Sequence, residues 1–138
     1  MNKVVFICHG NLFRSPIAKV IYNSMAKDGS HAESFGLVVA QGGYEGRKLA
    51  EFPGLSVDVG IMKKHGMDTS QETCRQLRPA DLVGVSKIIV MAEEAIPEWL
   101  KKYDYEYWEV FNPSFVTAEI TEKAVVLLKD KIKMSLLK

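Results

Sequence analysis

The run Val4-Val5-Phe6-Ile7-Cys8-His9-Gly10-Asn11-Leu12-Phe13-Arg14-Ser15-Pro16 constrains the fold more than any other stretch of the chain. Val4 to Cys8 are β-branched, aromatic or small and apolar, the make-up of a strand buried on both faces of a parallel sheet. Gly10 and Asn11 are the residue types that most readily adopt positive φ, so the chain can turn sharply between Cys8 and Arg14. Ser15-Pro16 then opens a helix, because proline near a helix start gives up an N–H that has no partner there. Ile17, Val20, Ile21 and Met25 continue that helix at the required spacing to about Lys27. A turn wedged between a strand end and a helix start aims its amides at one point, and the positive end of the helix dipole faces the same point. Strand, turn and helix together write an anion site.

The residues at the two ends of the turn give the site chemistry. A ring of amides at a helix start favours the ionised form of Cys8, and thiolate is the nucleophilic form. Arg14 offers a planar fork that matches two oxygens of a phosphate-like anion. Ser15 can donate its hydroxyl to the sulfur, stabilising it before attack and again as a leaving group. The plain alternative is that Cys8 is a small buried hydrophobe. Against it stands the order of the run, in which strand, cysteine, Gly-Asn, arginine, Ser-Pro and amphipathic helix all agree.

Cys8 through Pro16 resembles the phosphate-binding loop of the low-molecular-weight protein tyrosine phosphatases, C-x-G-N-x-x-R-S-P, a superfamily that includes thioredoxin-linked arsenate reductases. The cysteine near the N-terminus separates this pattern from larger tyrosine phosphatases and rhodanese-like proteins, whose loops come late. The resemblance implies a phosphotyrosine protein phosphatase I-like fold: an α/β, three-layer domain with a four-stranded parallel sheet of order 2-1-3-4, flanked by helices. It implies that Cys8 is the nucleophile, that Arg14 and Ser15 assist it, and that the backbone of His9, Gly10, Asn11, Leu12 and Phe13 holds the phosphate. Ser34-Phe35-Gly36 resembles the family's Ser-Ala-Gly. An aromatic residue walls the family's substrate pocket, and Tyr44 stands for it here. Phe115 offers a second wall, or else anchors its loop in the core.

Two departures from the family pattern bear on activity. Where the family has Asp-Pro after the last strand, its aspartic acid protonating the leaving oxygen, this chain has Asn112-Pro113. An amide donates a hydrogen bond but delivers no proton, and general acid catalysis is typically worth about 10²- to 10⁴-fold. Asp104, Glu106 and Glu109 are the nearby carboxylates that could substitute, against the ordinary alternative of solvated surface. Phe13 stands where many members have a second cysteine, so an over-oxidised Cys8 is harder to rescue.

Bulk properties narrow the rest. At 138 residues the chain is expected to be one domain, 1–138, with a good core. Net charge of +1 gives no reason to expect nucleic acid or a membrane surface as partner. No apolar run approaches a membrane span, and the N-terminus enters a strand directly. Cys8 and Cys74 are the two cysteines; they make no disulfide framework, and a reactive thiol suits the cytoplasm. His9, His31 and His65 show no metal-ligand spacing, so neither metal nor cofactor is expected.

Downstream, His31 to Val39 reads as a second strand and Gln41 to Pro53 as an irregular loop, with a short helix near Arg47–Phe52, overhanging the anion site. Ser56 to His65 reads as a helix closed by Gly66. Thr69 to Leu77 reads as a short helix carrying Cys74. Ser86 to Met91 is a buried strand, Glu93 to Lys102 a helix interrupted by Pro97, and Tyr107 to Phe111 the last strand. Ile120 to Leu137 is an amphipathic helix. Alternating strands and helices imply parallel pairing with right-handed crossovers.

Phosphate monoester hydrolysis through a phosphocysteine is the function expected first, on a phosphorylated protein or a small ester, with phosphate, sulfate or vanadate as ligands. Arsenate reduction needs resolving cysteines after the third strand, which are missing. A low-turnover oxyanion-binding or regulatory relative is the remaining alternative, given Asn112.

Overall fold

Strand side chains alternate between two faces, and in β1 (Lys3–Cys8) both faces are apolar. The structure, a computed structural model that describes residues 2–137, buries both. β2 (His31–Gly36), β3 (Lys87–Val90) and β4 (Glu106–Tyr107) complete a parallel sheet of order β2-β1-β3-β4. β1 is central, in register with β2 from Lys3–His31 to Cys8–Gly36 and with β3 from Val4–Lys87 to Ile7–Val90.

Val4, Phe6 and Cys8 share one face with Ile89 and Met91, covered by α1 (Arg14–Met25) and α4 (Ala118–Ser135). Ile17, Ile21, Ala124, Leu128 and Ile132 are the covering side chains, and Phe6 packs its ring against Tyr22 and Trp108. On the other face Val5, Ile7, Ile88 and Val90 meet Leu77, Leu82 and Leu100, which come from turns and extended chain. A third cluster of Val39, Leu49, Leu55 and Cys74 supports the loops above the C-terminal end of β1. α3 (Ser56–Lys64) ends where expected, with Gly66 in the left-handed region at φ 79°. Thr117 caps α4 by accepting from the Ile120 amide at 3.1 Å.

Several elements differ from the sequence expectation. β2 stops at Gly36, because the next two amides, of Leu37 and Val38, donate to the His9 carbonyl and α2 (Val39–Gly42) begins. Residues 69–77 form no helix. Their backbone pairs outward instead: Leu77 donates to Gly36 O, the Gly36 amide to Arg75 O, and the Cys74 amide to Arg47 O, at 2.8–2.9 Å. Of 93–102 only Leu100–Lys102 is helical, a single 3₁₀ turn, since Pro97 breaks the ladder and Ala95 sits at φ 63°. β4 is two residues long; after Trp108 donates to Val90 O the chain leaves the sheet. The irregular 41–53 stretch holds a 3₁₀ turn at Leu49–Glu51, within the short helix expected there.

Candidate active site

Asn11 builds the turn. It alone of the Gly-Asn pair takes positive φ, at 56°, and three hydrogen bonds fix its side chain. Its Nδ2 donates to Ser15 Oγ at 2.8 Å and Ser34 Oγ at 3.1 Å, while its Oδ1 accepts from the Arg75 amide at 2.8 Å. A backbone amide can only donate, so the amide orientation is forced. Gly36 permits the close approach: a Cβ there would lie 2.9 Å from the Asn11 backbone nitrogen and 2.7 Å from Val39 Cγ2.

Cys8 is buried at the floor of the turn, where its Sγ accepts from the Asn11 amide at 3.2 Å. Ser15 Oγ lies 3.0 Å from the same sulfur. Because Ser15 Oγ already accepts from Asn11, its hydrogen is free to donate, and the sulfur is nearer than the Phe35 carbonyl at 3.4 Å. Two donors thus converge on Sγ. α1 begins at Arg14, which places Pro16 third in the helix, still among the N–H groups without partners.

Arg14 is 2 % exposed. Its Nη1 donates to Met91 O, to Glu93 Oε1 at 2.8 Å and to Val110 O at 3.2 Å. All its hydrogen bonds to the described residues run through Nη1, leaving the Nε–Nη2 edge for an anion. Glu93 follows β3 on the neighbouring strand's C-terminal end, and its carboxylate anchors the guanidinium from behind. Glu93 is not among the residues that the sequence pattern singles out. An acidic pair just after a buried strand, at the end of the sheet where ligands bind, was the signal available.

Cys8, His9, Gly10, Leu12, Phe13 and Arg14 line a cavity of about 300 Å³ over this floor. Val38, Tyr44, Leu55, Asn112, Pro113 and Val116 make its walls. Tyr44 donates its hydroxyl to Gly10 O at 2.8 Å and packs edge-on against Phe52. Burial, with smaller contributions from the Cys74 and Cys8 thiols, pushes the phenol up to about 12, so it stays neutral and braces the loop.

Asn112 lines the cavity, and among the described residues no carboxylate does. Phe115 corrects the sequence reading: it is 79 % exposed and Val116 lines the cavity in its place, because the loop turns Phe115 outward as it approaches α4. Asp104 and Glu106 border a different hollow, with Ser86 and Lys87 at the start of β3, the end of the sheet away from Cys8. Glu109 lines a neighbouring hollow with Glu93 and Asn112, outside the Cys8 cavity. Cys74 is buried in extended chain beside Asn11 O, and burial chiefly pushes its thiol up to about 11. His31 and His65 lie away from the cavity, His65 against Glu122.

The family model for low molecular weight phosphotyrosine protein phosphatase matches residues 3–133. The chain belongs to that family. The human low molecular weight phosphotyrosine protein phosphatase is 30% identical over 102 residues, 73% of this chain. The matched stretch spans 61% of that relative's own length. A low molecular weight protein tyrosine phosphatase from T. tengcongensis superposes with TM-score 0.74 and 25% identity, covering 99% of this chain and 100% of its own. An arsenate reductase in its phosphate binding state shares the phosphatase family fold at TM-score 0.71 and 21% identity, over 97% of this chain and 95% of that one. None of the described helices is long and apolar enough to cross a membrane.

Proposed function

We propose that this chain hydrolyses phosphate monoesters of the phosphotyrosine type through a phosphocysteine formed on Cys8. The observation that carries the reading is the sulfur itself, which receives the Asn11 amide and the Ser15 hydroxyl at the floor of a cavity closed by Arg14. Those donors stabilise thiolate before attack and after departure. The free edge of Arg14 and the amides of residues 9–14 neutralise the equatorial oxygens, the positions where charge is held in phosphoryl transfer. Water then cleaves the phosphocysteine. Leu12, Val38, Tyr44, Leu55 and Val116 give the cavity apolar walls, which suit a flat aromatic leaving group better than a short polar alkyl one. Neither a cofactor nor a metal is called on by these steps.

Asn112 occupies the cavity edge without a proton to give. Turnover is therefore weakened and depends on the leaving group. The test compares p-nitrophenyl phosphate with phenyl phosphate in the native protein, Cys8→Ser and Asn112→Asp. The reading predicts a rapid p-nitrophenol burst in the native protein and none in Cys8→Ser. Asn112→Asp should raise phenyl phosphate turnover more than p-nitrophenyl phosphate turnover. A protein that binds phosphate or vanadate but releases no phenol from either ester is the oxyanion-binding alternative, and the hydrolytic reading is then lost.

A further inference from the structure

Phosphate ester cleavage leaves an oxygen that needs a proton, and the cavity offers few groups to supply it. Its titratable members are Cys8, His9, Arg14 and Tyr44. Cys8 is the nucleophile. Arg14 keeps its protons at any working pH. Tyr44 already donates its hydrogen to Gly10 O, and its phenol holds that proton to about 12. Asn112 is an amide, and the remaining lining residues are glycine, proline or apolar. The carboxylates that the sequence offered border other hollows.

His9 remains. It follows the nucleophile directly, it is half-buried in the cavity lining, and imidazole is a side chain able both to give and to take a proton. Its carbonyl accepts from the Leu37 amide at 2.8 Å and the Val38 amide at 3.1 Å, so its backbone is pinned to the end of β2. Its imidazole makes no hydrogen bond to any described residue, which leaves the ring free to serve a ligand. The other charged or titratable groups lining the cavity are the Cys8 thiol, the Arg14 guanidinium and the Tyr44 phenol; among the described residues α2, the 53–55 turn and the 112–116 loop bring no others into it.

We propose that His9 is the general acid of this site, replacing the carboxylic acid that Asn112 cannot be. The proposal rests on the phosphatase reading above. Cys8 Sγ attacks phosphorus, the S–P bond forms as the P–O bond to the leaving group breaks, and the departing oxygen takes the imidazolium proton. Phosphocysteine, free alcohol and neutral imidazole result. In the second step neutral imidazole takes a proton from the attacking water, the new P–O bond forms, the S–P bond breaks, and phosphate leaves with thiolate and imidazolium restored.

The native protein, His9→Gln, His9→Asn and His9→Gln/Asn112→Asp are assayed with p-nitrophenyl and phenyl phosphate across pH 5–9. Orthovanadate binding reports whether each loop is intact. The stable nitrophenolate needs a proton less, so both His9 variants should lose about 10²-fold more rate on phenyl than on nitrophenyl phosphate. In the native protein the phenyl-to-nitrophenyl rate ratio, read only where both esters are fully ionised, should fall as pH rises. Asn112→Asp should restore that ratio in the His9→Gln background. Equal losses on both esters, or a native ratio flat in pH, overturn the role of His9 while leaving Cys8-dependent hydrolysis standing. The pH test needs no variant, so a misfolded His9→Gln does not shelter the proposal. Absence of any Cys8-dependent hydrolysis in the native protein overturns the phosphatase reading, and the role of His9 with it.

Discussion

Asn11 and Ser15 do different work on the same sulfur, and they are separable by substitution. Asn11 is 1 % exposed and joins Ser15, Ser34 and Arg75, so Asn11→Ala leaves buried partners unpaired. It also places alanine at φ 56°. The expected cost is roughly 2–4 kcal/mol in urea unfolding, with loss of vanadate binding. Ser15→Ala removes one donor from Sγ and one of the three partners of the Asn11 side chain, while Ser34 and the Arg75 amide still hold Asn11, so vanadate binding should largely persist. Its effect should fall on breakdown of the phosphocysteine: the p-nitrophenol burst persists while the steady rate falls by about 10²-fold. Equal loss of burst and steady rate would show that the hydroxyl acts on attack alone. Arg14→Lys keeps a charge but loses the fork and its three Nη1 contacts, and vanadate affinity should drop by at least about tenfold.

At the scale of elements, the junction of β2 with the 69–77 segment holds the loop's shape. Gly36 lies under Asn11 with no room for a Cβ, and its amide and carbonyl both pair with that segment. Gly36→Ala should therefore damage the active site from outside it, lowering thermal stability and vanadate affinity together; an unchanged affinity would mean that the loop holds its own shape. This junction also marks the limit of what the sequence conveyed. β1, α1 and their turn were legible because residue types and period agreed over a continuous stretch, and α4 because its apolar stripe is long. The 69–77 segment was not: Thr69, Thr73 and Cys74 lack strong helix preference, and only pairing with Gly36 and Arg47, distant in sequence, decides its shape. Glu93–Lys102 misled for a related reason, since helical composition there yields to Pro97 and the left-handed Ala95. In the candidate site, Cys8, Arg14 and Ser15 were legible from local pattern, while Tyr44 came from the family resemblance. The orientation of Phe115 was not legible, because which loop side chain turns inward depends on where α4 starts.

Among the described residues one buried carboxyl goes unused by the chemistry. Asp58 is fully buried in the first turn of α3, neither oxygen has a hydrogen-bond partner among the described residues, and burial pushes its carboxyl up to about 7. Unfolded, the same group titrates near 3.8. Between those values the folded chain holds a proton that the unfolded chain has lost, so stability declines as pH rises from about 4 to about 7 and then levels. Asp58→Asn should remove that slope and leave the protein more stable at pH 8 by roughly 2–4 kcal/mol. Urea unfolding at pH 5 and pH 8 reads the effect; native and variant curves that stay parallel would contradict it.

A crystal structure with orthovanadate reaches furthest into the whole account, because vanadate mimics the phosphorus in transit. Vanadium is expected bonded to Cys8 Sγ, its equatorial oxygens on the loop amides and the Nε–Nη2 edge of Arg14, and its outward oxygen toward His9 and Asn112. Vanadate bound elsewhere, or a Cys8 that leaves it unbound at saturating concentration, would contradict it.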